Sequence, residues 1–127
     1  MKFRFKLDDK KPMKMSEGIY ALPVGMGKLM VNLLDMEKGS EIPVHCHKEE
    51  QVSLIIKGEL GFVLDGKKFR LKAGEGVLIP SNMKHGAKAI KKTFAYDCFS
   101  PPRWDYLEKL DKGKTFKKIK ANRRITK

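Results

Sequence analysis

The side chains best suited to chemistry in this 127-residue chain are its three histidines. Two of them lie in Val44-His45-Cys46-His47-Lys48-Glu49-Glu50-Gln51, spaced His-x-His, with Gln51 four residues after His47; His85 lies well downstream. In an extended strand, residues two apart project from one face at about 7 Å, so His45 and His47 can reach one ion while Cys46 points away. Gln51 adds a carbonyl oxygen as a hard donor, and His85 has to arrive from another strand. Three neutral imidazoles and an amide oxygen carry no charge, so a dication held by them keeps its full charge and stays Lewis acidic. Such donors suit Zn, Fe, Ni, Cu or Mn without choosing among them. An isolated His-x-His is more often a surface pair with no ion. Here all three histidines take part, and turn glycines flank both segments.

The elements that must position them read as strands. From Ile42 to Phe99 short apolar runs alternate with breaks at Lys57-Gly58-Glu59, Asp65-Gly66-Lys67, Ala73-Gly74-Glu75-Gly76 and Ser81-Asn82. Breaks about 8–12 residues apart predict an all-β sandwich or barrel. Asp65-Gly66, between Phe62-Val63-Leu64 and Phe69-Arg70-Leu71, predicts a hairpin, because Gly supplies the positive φ of the turn. Alternation places Gln51, Ser53 and Ile55 on one face of a strand and Val52, Leu54 and Ile56 on the other. Likewise Thr93, Ala95, Asp97 and Phe99 share a face opposite Phe94, Tyr96 and Cys98. The fully apolar face needs a second cover, from the N-terminal arm, a C-terminal helix or another subunit, and a homodimer is expected.

The chain reads as a single domain: an N-terminal arm and edge strand over 1–27, a barrel over 28–100, and a short helix with a basic tail over 101–127. The helix is expected over about 101–110. Ser100 can cap it, prolines are tolerated in the first turn, and Trp104, Leu107 and Leu110 fall at helical spacing. The formal net charge is +13, and residues 107–127 carry nine Lys/Arg against two Asp/Glu. That tail offers one aromatic, Phe116, and no recognised reading motif, so specific nucleic-acid binding is not expected. The start is charged at every second residue with no apolar run after it, and no stretch is long enough to cross a membrane as a helix. Two cysteines, Cys46 and Cys98, without redox or metal spacing read as small buried hydrophobes in a cytoplasmic protein.

Two spaced patterns resemble the cupin superfamily. Gly39-x5-His45-x-His47-x3-Gln51-x6-Gly58 resembles its first motif, with Gln51 where Glu is more usual. Gly74-x5-Pro80-x-Asn82-x2-His85 resembles the second, with Asn82 where Gly is usual. The resemblance implies a double-stranded β-helix, or jelly-roll, barrel with ligands at its mouth. A finer likeness, over about residues 28–108, is to the pectin-degradation cupins of the KdgF family. It is carried by Asp97-Cys98-Phe99-Ser100-Pro101-Pro102-Arg103-x-Asp105-Tyr106-Leu107, by His45 to Gln51 and by Gly58-Glu59-Leu60. It implies a metal held by His45, His47, Gln51 and His85, and active-site positions at Asp97, Phe99 and Arg103. The expected activity is conversion of 4,5-unsaturated uronates, small acidic sugars, to linear keto-deoxyuronates with a divalent metal (Zn, Ni, Fe or Mn).

The residues support that chemistry and leave alternatives open. Asp97 can relay a proton, and Arg103 offers a planar fork for a carboxylate. Equally, Arg103 could pair with Asp97 as a structural lock, Phe99 could be core, and Trp104 packing. Glu49 and Glu50 flank the ligands; one of them could be a ligand in place of Gln51, and both are expected to be solvated. The same pocket would also serve a non-catalytic sugar-binding cupin or an iron-dependent, oxygen-using one.

Overall fold

The computed structural model describes residues 3–105. Among them are ten strands: β1 Met13–Ser16, β2 Ile19–Gly25, β3 Met30–Met36, β4 Glu41–His45, β5 Glu50–Lys57, β6 Glu59–Leu64, β7 Lys67–Lys72, β8 Gly76–Ile79, β9 His85–Ala89 and β10 Thr93–Ser100. They form two antiparallel sheets, one of six strands in the order β1-β2-β3-β10-β5-β8 and one of four in the order β4-β9-β6-β7. The non-sequential neighbours, β10 between β3 and β5 and β9 between β4 and β6, interleave the two halves of the chain. That interleaving brings His85 beside His45.

The breaks seen in the sequence become turns. Asp65 and Gly66 adopt positive φ between β6 and β7, the backbone of a tight hairpin. Gly58 is obligatory for a second reason: at φ +95° an added Cβ would meet the Lys92 carbonyl oxygen and Thr93. Asn82 stands at φ +65°, a conformation that Asn tolerates better than other non-glycine residues.

The core lies between the sheets, built from Ile19, Leu34, Met36, Ile55, Leu60, Phe62, Leu71 and Ile79 among others. On β5 the strand face that turns inward is the one carrying Gln51 and Ser53 beside Ile55. The apolar face turns outward: Val52, Leu54 and Ile56 are 39%, 44% and 41% exposed, and Leu78 of β8 is 72% exposed. The N-terminal segment does not cover this face. It extends the sheet, with β1 as an edge strand on β2.

Three expectations need revision. No α-helix element occurs among the described residues: 101–103 are not helical, Trp104 and Asp105 carry helical backbone, and the rest of the expected 101–110 helix lies outside the described residues, as does the basic tail. His47 lies beyond the end of β4, so the His-x-His pair is held by a strand end and the following loop rather than by one strand. Cys46 is exposed and Cys98 half-buried, so neither is a core thiol. No helix among the described residues is long and apolar enough to cross a membrane.

Candidate metal centre

β4 and β9 pair with His45 directly opposite His85, and the loop after β4 folds His47 back toward both. The ring centroids lie 5.5 Å (His45–His47), 4.4 Å (His45–His85) and 4.9 Å (His47–His85) apart. One nitrogen from each ring lies within 4.8 Å of the others, which is close enough for a single ion.

Backbone carbonyls fix which nitrogen each ring presents. Nδ1 of His45 lies 2.9 Å from the Pro43 oxygen, that of His47 3.0 Å from the Glu49 oxygen, and that of His85 2.8 Å from the Met83 oxygen. A carbonyl only accepts, so each Nδ1 carries the hydrogen, and in the neutral ring Nε2 keeps a lone pair for a metal. Burial holds the His85 ring neutral, taking its pKa down from 6.5 to about 4. His47 is lowered as well, by burial first and then by the Arg103 charge. No proton therefore competes strongly for the His47 and His85 lone pairs at neutral pH.

The fourth donor is oriented by a relay on the inner face of the six-stranded sheet. β5 and β10 are paired so that Ser53 faces Asp97. The Ser53 hydroxyl donates to Asp97 Oδ1 at 2.7 Å, so Ser53 Oγ accepts from Gln51 Nε2 at 2.9 Å. That leaves Gln51 Oε1 turned toward His47 Nε2, 3.1 Å away. Both atoms are acceptors in this arrangement, and two facing lone pairs repel unless a cation joins them. The donor set thus fits a divalent metal on its own chemistry. Of the four ligands expected from the sequence, three converge as imidazoles and the fourth presents its oxygen to them.

Asp97 is buried, and burial raises its pKa from 3.8 to about 6; hydrogen bonds from Ser53 and Gln51 and the Arg103 charge oppose the rise. It is ionised at neutral pH yet can take a proton near it. Phe99 is both core and wall: it is buried, stacks edge-on with His47 at 5.7 Å and carries the Arg103 guanidinium 5.7 Å from its ring centre. Arg103 forks onto Asp105, with Nη2 to Oδ2 at 2.8 Å and Nε to Oδ1 at 3.2 Å. Among the described residues it hydrogen-bonds Asp105, while on Asp97, the partner of the lock considered from sequence, it acts through its charge. His45, Gln51, Ser53, His85, Asp97, Phe99 and Arg103 all line one small pocket that opens to solvent.

Sequence reasoning missed two participants. Glu49, expected to be solvated, is buried with its carboxylate 3.5 Å from His47 Nδ1. Ser53 was placed on the Gln51 face but given no role; its signal was a small hydroxyl two residues from a ligand.

The chain is similar in sequence and fold to known proteins. The model of the cupin domain matches residues 32–95. The pectin degradation protein KdgF of Dickeya dadantii is 28% identical over 108 residues, covering 82% of this chain and 98% of that protein. KdgF from a Halomonas species superposes with a TM-score of 0.76 at 26% identity, over 80% of this chain and 96% of that one. An RmlC-like cupin from Shewanella frigidimarina superposes with a TM-score of 0.78 at 28% identity, over 82% of this chain and 95% of that one.

Proposed function

The chain belongs to the cupin family, and from that premise we propose that it is a metal-dependent enzyme acting on an unsaturated uronate or a related acidic sugar. The observation that carries this reading is the joining of two kinds of group: a donor set of His45, His47, His85 and Gln51, and the buried carboxylate Asp97 tied to that set through Ser53. The likeness to the KdgF proteins supplies the substrate class.

A divalent ion held by these residues would polarise a hydroxyl or carboxylate oxygen of the sugar as a Lewis acid. The chain's own groups do the rest. Arg103 lines the pocket as a planar cation and suits the carboxylate of a uronate. Phe99 packs beneath that guanidinium and against His47, keeping water from the floor. Asp97 takes and returns a proton at a carboxylate oxygen whose pKa, about 6, is matched to neutral conditions. Opening a 4,5-unsaturated hemiacetal and tautomerising the enol moves protons only. No group leaves, and no electron acceptor is required.

Measuring bound metal and following the ultraviolet absorbance of 4,5-unsaturated galacturonate tests the reading. Loss of absorbance by metal-loaded protein is the expected result; unchanged absorbance with a full metal complement would reject that substrate. The same reading takes the protein as a homodimer in which a second copy covers the apolar outer face of the six-stranded sheet.

A further inference from the structure

The donor set is neutral, yet two buried carboxylates are joined to it. His45, His47, His85 and Gln51 bring no negative charge to a dication, so its charge has to be offset by acids outside the set. Three acids are buried among the described residues: Glu49, Glu59 and Asp97. Glu59 faces the Arg70 guanidinium at 3.4 Å. Asp97 reaches the donor set through Ser53 and Gln51. Glu49 reaches it by a separate route, through His47. Its peptide oxygen takes the Nδ1 hydrogen at 3.0 Å, and its carboxylate oxygen stands 3.5 Å from the same nitrogen. At that distance the carboxylate acts by charge more than by hydrogen bonding. The contact is sheltered from water, with the two side chains 8% and 10% exposed. A buried carboxylate is costly without a positive partner. The ion-pair neighbour of Glu49 among the described residues is His47 alone, and a ring that keeps Nε2 open for a metal is neutral. The carboxylate therefore meets no full positive charge until an ion arrives.

We propose that Glu49 is a positioning residue of the metal centre, its carboxylate offsetting the charge of a dication through the His47 ring. The inference rests on the metal-dependent reading given above. An ion on Nε2 draws electron density from the ring and makes the Nδ1–H more positive, and a carboxylate beside that nitrogen stabilises the change. The effect is larger here than at an exposed site, because charges out of water are screened less. One residue thus sets two properties of one ligand. The Glu49 peptide oxygen fixes the tautomer, and the Glu49 carboxylate supplies the charge. With that charge in place, Asp97 can gain and give up a proton while a second acid still offsets the ion.

The test compares Glu49→Gln, which keeps the size and the peptide oxygen but not the charge, with Glu49→Asp, which keeps the charge. Zn²⁺ affinity is measured by competition with a chromophoric chelator, and Tm on the metal-free proteins. Glu49→Gln should lose about 10- to 100-fold in Zn²⁺ affinity. Its metal-free Tm should stand at or above wild type, because an unmatched buried carboxylate has gone. Glu49→Asp should bind Zn²⁺ more tightly than Glu49→Gln. Co²⁺-loaded Glu49→Gln should keep the visible bands of the wild type, since the donor atoms are the same. Wild-type Zn²⁺ affinity in Glu49→Gln overturns the proposal. So does a loss of affinity with a lowered metal-free Tm and no recovery in Glu49→Asp, which is the mark of a packing role. Altered Co²⁺ bands would make Glu49 itself a ligand and overturn it too. Absence of Zn²⁺ binding by the wild type would remove the metal centre and this role with it, whereas a wild type that binds beside an equally tight Glu49→Gln removes this role alone.

Discussion

The two faces of β5 and β10 invert the usual order of burial. Gln51, Ser53 and Asp97 lie inside, while Val52, Leu54 and Ile56 of the same strand pair lie outside and partly exposed. Burying a polar side chain is costly unless it is hydrogen-bonded, and exposing a row of large apolar ones forgoes about 25 cal/mol per Å² of stabilisation. A sheet shaped by stability alone would turn the other way. The difference teaches that the inner face is held for what it binds, and that the outer face is suited to contact with something else. The inner face meets its cost by pairing: Gln51 to Ser53 to Asp97 is a closed relay, with Asn32 as the one open position.

That contrast can be broken in graded ways. The largest effect is expected at the imidazoles. His85→Ala removes a donor directly opposite His45 and should abolish bound metal by elemental analysis; metal retained at wild-type level would mean that the cluster is not the site. Next is Asp97→Asn, which keeps size and hydrogen-bonding capacity but not the base. Turnover of an unsaturated uronate should fall about 100- to 10,000-fold with metal content unchanged. Wild-type turnover would remove Asp97 from the chemistry. Ser53→Ala frees the Gln51 amide to rotate, and metal affinity by competition titration should drop about 10- to 100-fold, as for lost partners of metal ligands generally. On the outer face, Leu54→Lys with Leu78→Lys should turn a dimer into a monomer by light scattering and leave metal affinity alone. A wild-type protein already monomeric would show that no second copy covers the face.

The smallest effect is a pH dependence in which the inner face opposes itself. His85 has its pKa lowered to about 4, so below about 6.5 the unfolded chain takes up a proton that the folded one refuses. This group makes metal-free protein lose stability as pH falls from 6.5 to 4. Asp97 has its pKa raised to about 6, so the folded chain holds a proton that the unfolded one releases, and its contribution is lost as pH rises from about 4 to 6. The two slopes have opposite sign across nearly the same window. His47 is lowered in the same direction and adds to the His85 slope; metal-free wild type should therefore show a Tm that rises less steeply with pH between 4 and 6 than that of Asp97→Asn. Parallel profiles for the two proteins would contradict the opposition.

Much of the two-sheet fold was legible because turns carry local chemistry. Gly58, Asp65-Gly66, Gly74 and Asn82 marked the breaks between strands, Asp65-Gly66 also the positive φ of its hairpin, and strand alternation correctly grouped Gln51 with Ser53 and Asp97 with Phe99. The meeting of His45 with His85 was legible only through motif order, since it depends on β9 pairing with β4 across the fold. Three things were not legible. Which face of β5 points inward depends on where the second sheet lies. The burial of Glu49 depends on the loop that folds His47 back. The isolation of Asn32 depends on its neighbours in register, Pro23 and Asp97, which lie far apart in sequence.

The most direct test of the inner face as a built metal site is calorimetric titration of metal-free protein with Zn²⁺ at pH 7 in two buffers of different ionisation enthalpy. Neutral rings at His47 and His85 and lone pairs already aimed predict one ion per chain, almost no proton release from those two rings, and loss of the signal in His85→Ala. No binding by the wild type, or equal binding by His85→Ala, would contradict it.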